Sequence, residues 1–385
     1  MRSADIVVIG GGIVGSSIAY HLSAAGCRDV LVLERETHQG KGSTGKSMGG
    51  VRAQFSTPVS IRMSLYSIPV FQAFEELMGH PSGYRPQGYL FVAATEGRLA
   101  WLRTNHARQK ELGLRSVEIL KPDDVHRIAP EIRWDDLAGG SFCPTDGFVD
   151  PYSVMTGFML KAMEGGAELL RQTEATGIRR DSRGVCGVET TRGFVAGRSV
   201  VIAAGAWSGI VGKLAGIDVP VEPLRRMLVP TEPFERVSHQ SPMVVDLETG
   251  FHYRPEGRGL LMAWNDPEER PGFNTRFDPE FVEKILTRGA RRLPCLEEAQ
   301  IDPRRAWAGL YEMTPDHHPV LGPVAGIPGL WVAAGFSGHG VMHSPATGKI
   351  MADLILKGES DLVDASLLSL DRFAAGRLLE ETAVL

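Results

Sequence analysis

Three glycines near the start of the chain have the spacing of a phosphate-binding turn. Gly10, Gly12 and Gly15 follow the apolar residues 6–9 in the pattern G-x-G-x-x-G. The first glycine allows a tight turn, the second lets the backbone approach a pyrophosphate, and the third lets a helix pack on its strand. The N-terminus of that helix offers free N–H groups and partial positive charge to phosphate oxygens. The turn therefore predicts binding of a dinucleotide.

An acidic residue at the end of the next apolar run narrows the choice of dinucleotide. Glu34 follows residues 31–33 and lies about 20 residues after Gly15, where a carboxylate can accept hydrogen bonds from ribose hydroxyls. A negative charge at this place disfavours the 2′-phosphate of NADP. Because NAD and FAD proteins share the motif, these residues leave both cofactors open.

Composition excludes several classes of protein. The 385 residues are enough for a large α/β domain and a second domain. A net charge of −5 gives no basic surface for nucleic acid, and the apolar runs are too short to cross a bilayer. The first predicted strand begins at residue 5, which leaves no room for a secretory signal. Scattered cysteines without a C-x-x-C pair indicate a reduced, cytoplasmic protein; they are Cys27, Cys143, Cys186 and Cys295.

The glycine turn needs strands and helices to hold it, and the sequence predicts them at both ends of the chain. Helices are expected over 57–77, 95–112, 150–163, 278–292 and 344–356, and strands over 167–171, 185–190, 198–204 and 329–335. In the last helix, Ser344 and Pro345 are expected at the N-cap and first positions. A return to the strand–glycine–helix pattern near residue 335 predicts a discontinuous nucleotide domain.

We therefore predict an α/β fold, in which a Rossmann-like domain carries an inserted antiparallel-sheet substrate domain of α+β type. The predicted nucleotide domain comprises residues 1–80, 141–218 and 312–365. The predicted substrate domain comprises residues 81–140 and 219–311, and a C-terminal helix or tail follows over 366–385.

Five segments together resemble the D-amino-acid-oxidase/sarcosine-oxidase (DAO) family of flavoproteins. They occur in the order expected for the family and cover nearly the whole chain; they are residues 7–15 with Glu34-Arg35, 42–55, 201–207, 307–322 and 334–348. The likeness is strongest to the β-type subunits of sarcosine oxidases and of proline or hydroxyproline dehydrogenases. The resemblance implies FAD rather than NAD, and oxidation of a C–N bond of an amino acid.

The resemblance also implies which residues contact FAD. Glu34 and the loop 42–50 are expected beside the adenosine and pyrophosphate, and the turn 335–340 beside the flavin ring, where backbone donors would stabilise negative charge. The expected cofactor-binding residues are Gly10, Gly12, Ile13, Val14, Gly15, Glu34, Arg35, Ser43, Thr44, Ser47, Met48, Ala204, Gly205, Trp207, Gly335, Gly338, His339, Gly340, Val341 and Met342.

Candidate catalytic residues follow from the same resemblance. Arg52 is expected to hold a substrate carboxylate, because a guanidinium matches two oxygens. Tyr311 stands where many sarcosine-oxidase relatives have a tyrosine at the substrate and where glycine and D-amino-acid oxidases have arginine. A tyrosine that only fills a domain interface is the alternative. His339 and Met342 complete the predicted catalytic set.

The chain departs from the family pattern at several positions. Gly309 stands where monomeric sarcosine oxidases have the cysteine that binds flavin covalently, and the first loop lacks the anchoring histidine of dimethylglycine dehydrogenases. We therefore expect non-covalent FAD. Met342 replaces a lysine of the last turn, and the strand 259–265 lacks an oxygen-activating lysine. These departures predict slow reaction with oxygen and transfer of electrons to a partner subunit or a quinone.

The histidines of the chain allow either a functional or a structural interpretation. His339 and His343 either polarise the substrate or flavin, or are packed and hydrogen-bonded residues. His252 and Tyr253 are weaker candidates for the pocket wall. The adjacent His317 and His318 have no further ligands at metal-site spacing, so no metal site is expected.

The predicted activity is FAD-dependent oxidation of the C–N bond of a secondary or N-alkyl amino acid, by hydride transfer to flavin N5. Two alternatives stay open: a 2-hydroxy-acid dehydrogenase of the same fold, and a non-catalytic FAD protein that assists assembly of another complex. Neither nucleic acid nor a membrane span is expected.

Overall fold

The computed structural model describes residues 2–383, which form two large sheets with helices packed against them. The helices are α1 (Ile13–Ala24), α2 (Pro58–Gln72), α3 (Phe74–Met78), α4 (Glu96–Glu111), α5 (Pro122–Ile128), α6 (Pro151–Glu164), α7 (Ser208–Leu214), α8 (Phe281–Arg292) and α9 (Gly340–Lys357). The strands are β1 (Arg2–Ile9), β2 (Val30–Leu33), β3 (Gly50–Val51), β4 (Tyr89–Ala93), β5 (Glu118–Leu120), β6 (Gly139–Cys143), β7 (Gly147–Phe148), β8 (Glu168–Leu170), β9 (Ala175–Asp181), β10 (Gly184–Thr190), β11 (Gly193–Ile202), β12 (Glu222–Pro230), β13 (Met243–Asp246), β14 (His252–Glu256), β15 (Gly259–Ala263), β16 (Trp307–Met313), β17 (Val320–Pro323) and β18 (Leu330–Ala334).

The first sheet has the strand order β17-β18-β11-β1-β2-β8, and β10 and β9 extend from β11. β1 pairs in parallel with β2 and β11, and β11 pairs in parallel with β18. These central strands are almost continuously apolar because helices α1 and α9 and strands of the same unit cover both faces. Strands from both ends of the chain therefore lie side by side, and their carboxyl ends meet at one edge.

The second sheet has the order β16-β12-β15-β14-β13-β4-β6-β5 and is mostly antiparallel. One of its faces packs on α8 and the segments around it, in a core that includes Phe251, Tyr253 and Phe281. The opposite face of β12, β14, β15 and β16 is turned toward the first sheet. The mixed α/β architecture agrees with the predicted fold class.

Most of the predicted elements are present, with local differences. The helix expected over 57–77 is interrupted at Ala73 and forms α2 and α3. The last helix begins at Gly340 rather than after Ser344, so the expected Ser344 cap is wrong; the Ser344 hydroxyl instead donates to the carbonyl of Val341 at 2.8 Å. No helix in residues 2–383 is both long and apolar enough to span a membrane.

Residues after α9 form two short 3₁₀ turns, Ala365–Leu368 and Leu370–Arg372, and then an extended segment. A buried ion pair holds the turns, because Arg372 Nε lies 2.8 Å from Asp316 Oδ2 and both side chains are 1% exposed. We call residues 379–383 the tail segment. Residues 1, 384 and 385, which belong to the first and last predicted segments, lie outside the described part of the chain.

Candidate functional site

The first glycine turn has the geometry that a bound pyrophosphate needs. Gly10 has φ +115°, and a Cβ there would overlap the carbonyl oxygen of Ala203 on the neighbouring strand. A Cβ at Gly15 would overlap the carbonyl oxygen of Gly10, so the helix approaches the turn closely. Gly12 stands at the N-cap of α1 without a side-chain cap. Apart from the N–H of Ile13, which donates to the Thr44 hydroxyl, the N–H groups of the first turn of α1 are available to an anion.

Glu34 lies beside this turn. Its Oε2 accepts a hydrogen bond from the N–H of Gly11 at 3.2 Å, and its Oε1 accepts one from Glu36 at 2.9 Å. Burial raises the pKa of Glu34 above its usual value, although the two backbone hydrogen bonds oppose that shift. A carboxylate fixed in this way is well placed for a ribose.

A single elongated cavity of about 650 Å³ connects the glycine turn to the second sheet. Its wall includes Glu34 and residues 173–176, the glycine turn Gly10–Val14, and Tyr311 and His252 of the second sheet; we call the part formed by the second sheet the far end. Its length and donor-rich glycine wall fit a dinucleotide that lies along the edge of the first sheet. The residues present therefore suit FAD.

Most of the residues expected to contact the cofactor line this cavity. They are Gly10, Gly12, Ile13, Val14, Glu34, Arg35, Ser43, Thr44, Ser47, Met48, Ala204, Gly205, Trp207, Gly338, Gly340 and Val341. Gly15, Gly335, His339 and Met342 do not line it; they are buried or packed behind the wall. Their roles in positioning FAD stay predictions.

The loop 42–50 contacts both the glycine turn and strand β16 of the second sheet. The Thr44 hydroxyl accepts a hydrogen bond from the N–H of Ile13 at 3.1 Å, which secures the loop to the start of α1. Ser43 donates to the carbonyl of Leu310 at 2.7 Å, and Trp307 Nε1 donates to the carbonyl of Lys46 at 3.0 Å. These contacts fix the distance between the glycine turn and strand β16.

The far end of the cavity is walled by one face of the second sheet. Arg226 pairs with Gly309 across β12 and β16, and His252 pairs with Ala263 across β14 and β15. Tyr311 lies two residues from Gly309 and so shares that face. A Cβ at Gly338 would overlap the ring of Tyr311, so the predicted flavin turn packs directly on this tyrosine.

Sequence reasoning missed three residues of this wall: Arg226, Asn265 and Glu312. Arg226 had a visible signal, since it directly precedes the apolar residues 227–229 of the same strand. Glu312 is buried and accepts a hydrogen bond from the N–H of Gly335 at 2.9 Å. Burial raises its pKa to about 7, and this carboxyl supports the turn that begins at Gly335.

The two residues proposed for the inserted strand face opposite ways, because neighbouring side chains of a strand alternate. His252 lines the cavity, and its Nδ1 lies 3.0 Å from the carbonyl of Gly250. Burial lowers the pKa of His252 to about 4, and the charge of Arg226 contributes. Tyr253 lies in the core on the other face, where its hydroxyl donates to Glu131 at 3.0 Å, so it does not line this cavity.

Arg52 is buried behind the cavity and is only 1% exposed. Its Nη1 donates to the carbonyl of Gln54 and its Nη2 to the carbonyl of Ala383 in the tail segment. The guanidinium carbon also lies 3.8 Å from the centre of the Phe55 ring. In this arrangement the guanidinium is held by backbone carbonyls and an aromatic face rather than turned into the cavity.

The histidines of the last turn are buried and uncharged. Burial lowers the pKa of His339 well below its usual value and that of His343 to about 3, and nearby Arg52 contributes to both shifts. His343 Nε2 lies 3.1 Å from the Ser64 hydroxyl, and His318 Nε2 lies 2.9 Å from the Thr57 hydroxyl. Within residues 2–383 no group of three or more His, Cys, Asp or Glu side chains has metal-site geometry.

The cavity contains cations even though β15 lacks a lysine. Lys46 and Arg226 both line it. The sequence-based expectation of slow reaction with oxygen concerned lysines at two other positions, in the last turn and in β15, and it stays a prediction.

Comparison with known proteins agrees with this geometry. The family model described as "DAO: FAD dependent oxidoreductase" matches residues 5–354. The chain is 31% identical to mitochondrial dimethylglycine dehydrogenase of Mus musculus, over 94% of this chain and 43% of that protein. It is 32% identical to FAD-dependent oxidoreductase domain-containing protein 1 of Xenopus laevis, over 96% of this chain and 82% of that protein.

A solved structure extends the comparison to the fold. L-proline dehydrogenase from P. horikoshii superposes with a TM-score of 0.91 at 31% identity, over 98% of this chain and 99% of that one. The chain thus spans less than half of the mouse dehydrogenase but nearly the whole of this proline dehydrogenase chain. With its glycine turn, the carboxylate of Glu34 beside that turn and a family match over residues 5–354, the chain belongs to the DAO family of FAD-dependent oxidoreductases.

Proposed function

We propose that this protein oxidises the C–N bond of a secondary or N-alkyl amino acid to an imine, with non-covalent FAD as its cofactor. The observation that carries the proposal is the cavity end beyond the glycine turn. There a neutral histidine, a tyrosine and an arginine share one face of the second sheet, next to the turn expected at the flavin.

The proposed chemistry needs a substrate nitrogen without its extra proton. Bound FAD supplies the hydride acceptor for the carbon next to that nitrogen. His252 is the candidate proton acceptor: burial keeps it neutral above about pH 5, and the negative charge of a bound carboxylate would raise its pKa and so its basicity. A proton on Nδ1, directed at the carbonyl of Gly250, leaves Nε2 as the ring nitrogen that can accept one.

The wall of the cavity also supports a small organic substrate. Leu228 and Ala263 form an apolar surface between Arg226 and His252. Such a surface suits the carbon atoms of a small amino acid and excludes water from the reacting carbon. Two relatives carry the names of proline and dimethylglycine dehydrogenases, whose named substrates are N-substituted amino acids.

Non-covalent binding of FAD is part of the proposal. Gly309, which faces the cavity, offers no nucleophile for a flavin bond. Acid precipitation of the purified protein should therefore release all of the flavin into the supernatant. Flavin that stays with the precipitate would contradict this part of the proposal.

An anaerobic screen tests the proposed activity. The FAD-loaded protein is mixed without oxygen with proline, hydroxyproline, sarcosine, dimethylglycine and glycine, and with the 2-hydroxy acids of matching carbon skeleton. The proposal predicts loss of the oxidised flavin absorbance with at least one N-substituted amino acid. Reduction by hydroxy acids alone would support a hydroxy-acid dehydrogenase instead, and reduction by none would support a non-catalytic role.

A further inference from the structure

Arg226 is a cation without a counter-ion in the wall of the cavity. Its Nε has no hydrogen-bond partner, and its Nη1 makes only a 3.2 Å hydrogen bond to the carbonyl of Arg225. It forms no ion pair with any residue of the described chain. Arg226 is only partly exposed, and a partly buried cation without a counter-ion is stabilised when an anion approaches it.

The acidic residues nearest to Arg226 are already paired with other cations. Glu269 accepts hydrogen bonds from Arg225, with Nε 2.9 Å from Oε2. Asp266 lies 2.9 Å from the Lys284 ammonium. Neither acid pairs directly with Arg226. Burial lowers the pKa of this guanidinium, although the charges of Glu269 and Asp266 oppose that shift.

The residues around Arg226 indicate which kind of anion would bind there. Its guanidinium carbon lies 5.2 Å from the centre of the Tyr311 ring, and His252 lies on the same sheet face. An anionic group at Arg226 thus has a hydroxyl-bearing ring on one side and a neutral imidazole on the other. A planar carboxylate matches the guanidinium fork with two parallel hydrogen bonds.

We infer that Arg226, rather than Arg52, binds the carboxylate of the substrate. Both Nη atoms of Arg52 donate to backbone carbonyls, whereas Arg226 lines the cavity and its Nη2 makes no hydrogen bond to the described residues. The Nε atoms of both arginines are buried without a partner. The inference extends the proposed function. It depends on that function in one respect, namely that the ligand is an amino acid. The residue that selects for acids then lies on β12, the strand that pairs with β16, where Tyr311 lies.

The test uses ligand binding and needs no turnover. Pyrrole-2-carboxylate, an aromatic acid that cannot be dehydrogenated to an imine, is titrated into the FAD-loaded protein, and the shift of the flavin absorption bands gives Kd. Arg226→Met should weaken binding by about 10- to 150-fold, the range expected for a lost charged hydrogen bond. Arg226→Lys should recover part of that loss, since it keeps the charge but not the fork.

Two variants serve as controls. Arg236→Met removes a guanidinium that is paired with the exposed Glu298 and does not line the cavity, so Kd should stay within about threefold of the wild-type value. Arg52→Met distinguishes the roles of the two arginines. It should lower the thermal stability of the protein and leave its Kd for the acid nearly unchanged. A large loss of affinity in Arg52→Met with none in Arg226→Met would overturn the inference.

The FAD content of each variant provides a second readout. If Arg226 contacts the cofactor instead of the substrate, Arg226→Met will lose FAD and leave the affinity for the acid unchanged in the loaded fraction, which also overturns the inference. The inference and the proposed function fail separately. Arg226-dependent binding of the acid, without flavin reduction by any amino acid, would uphold the first and refute the second.

Discussion

Arg52 donates from Nη2 to the carbonyl oxygen of Ala383, which lies 331 positions later in the chain. This contact joins the loop after the first glycine turn to the tail segment. The tail segment is therefore part of the wall behind the cavity, and its anchors affect the residues that surround the proposed substrate site.

The first anchor is the buried pair of Asp316 and Arg372. Asp316→Asn removes the partner of a guanidinium that is 1% exposed, so the free energy of unfolding should fall by about 3–5 kcal/mol. Chemical denaturation of the FAD-loaded protein measures this change. Asp302→Asn is the matched control, because it breaks a pair with the exposed Arg304 and should cost less than about 1 kcal/mol. Equal effects of the two substitutions would contradict the structural role.

The second anchor is Glu381, which caps the start of α2. Its carboxylate accepts hydrogen bonds from the N–H of Ser56 at 2.8 Å and from the Thr57 hydroxyl at 2.7 Å. Burial opposes ionisation, but these hydrogen bonds outweigh it and hold the pKa of Glu381 below its usual value.

Glu381→Gln should therefore destabilise the protein by about 1–3 kcal/mol at neutral pH. A depressed folded-state pKa gives stability that is present above the pKa of the unfolded chain and is lost as the pH falls through the folded value. The difference between wild type and variant should narrow below about pH 4.5. Denaturation curves across pH 3.5–7.5 check this, and a difference that grows on acidification would contradict it.

Glu312 should show the opposite dependence on pH. Its pKa is raised to about 7 by burial, so the folded state holds a proton that the unfolded chain releases at lower pH. Wild-type stability should therefore decline between about pH 4.5 and 7, by at most about 3 kcal/mol. The stability of Glu312→Gln relative to wild type should improve over the same interval. Thermal denaturation at fixed FAD concentration measures this trend, and a parallel pH dependence of both proteins would exclude it.

His252 should influence the rate of flavin reduction. Replacing it by glutamine removes the proposed proton acceptor, so reduction at neutral pH should slow by about 100-fold or more. Raising the pH supplies the neutral amine directly, since aliphatic ammonium groups lose their proton near about pH 10. The deficit should shrink toward that pH in anaerobic stopped-flow measurements. A deficit that is constant from about pH 6 to 10 would indicate a structural role for His252.

The sequence predicts the cofactor half of the molecule better than the substrate half. Gly10, Gly12 and Glu34 act through backbone geometry and local charge, which a short motif encodes. Tyr253 and His252 are neighbours in sequence, and only the pairing of β14 with β15 decides which of them faces the cavity. A single-residue shift of register would exchange them.

Arg52 and Arg226 show why long-range contacts escape such reasoning. The position of Arg52 after the loop 42–50 favours a ligand role, but its nearest acceptor comes from Ala383. Arg226 gains its importance from what surrounds it, since Glu269 and Asp266 are paired elsewhere. No local pattern in the sequence encodes the absence of a counter-ion.

The most direct test of the proposed activity is a single anaerobic comparison. The rate of flavin reduction is measured for an N-methyl amino acid or proline, and for the 2-hydroxy acid or carboxylate-free amine of the same skeleton. We predict rapid reduction by the amino acid, with a rate that rises with pH as the ammonium loses its proton, and little reduction by either analogue. Reduction by the hydroxy acid alone, or a rate with the amino acid that is flat from about pH 6 to 10, would contradict amine oxidation as the function of this protein.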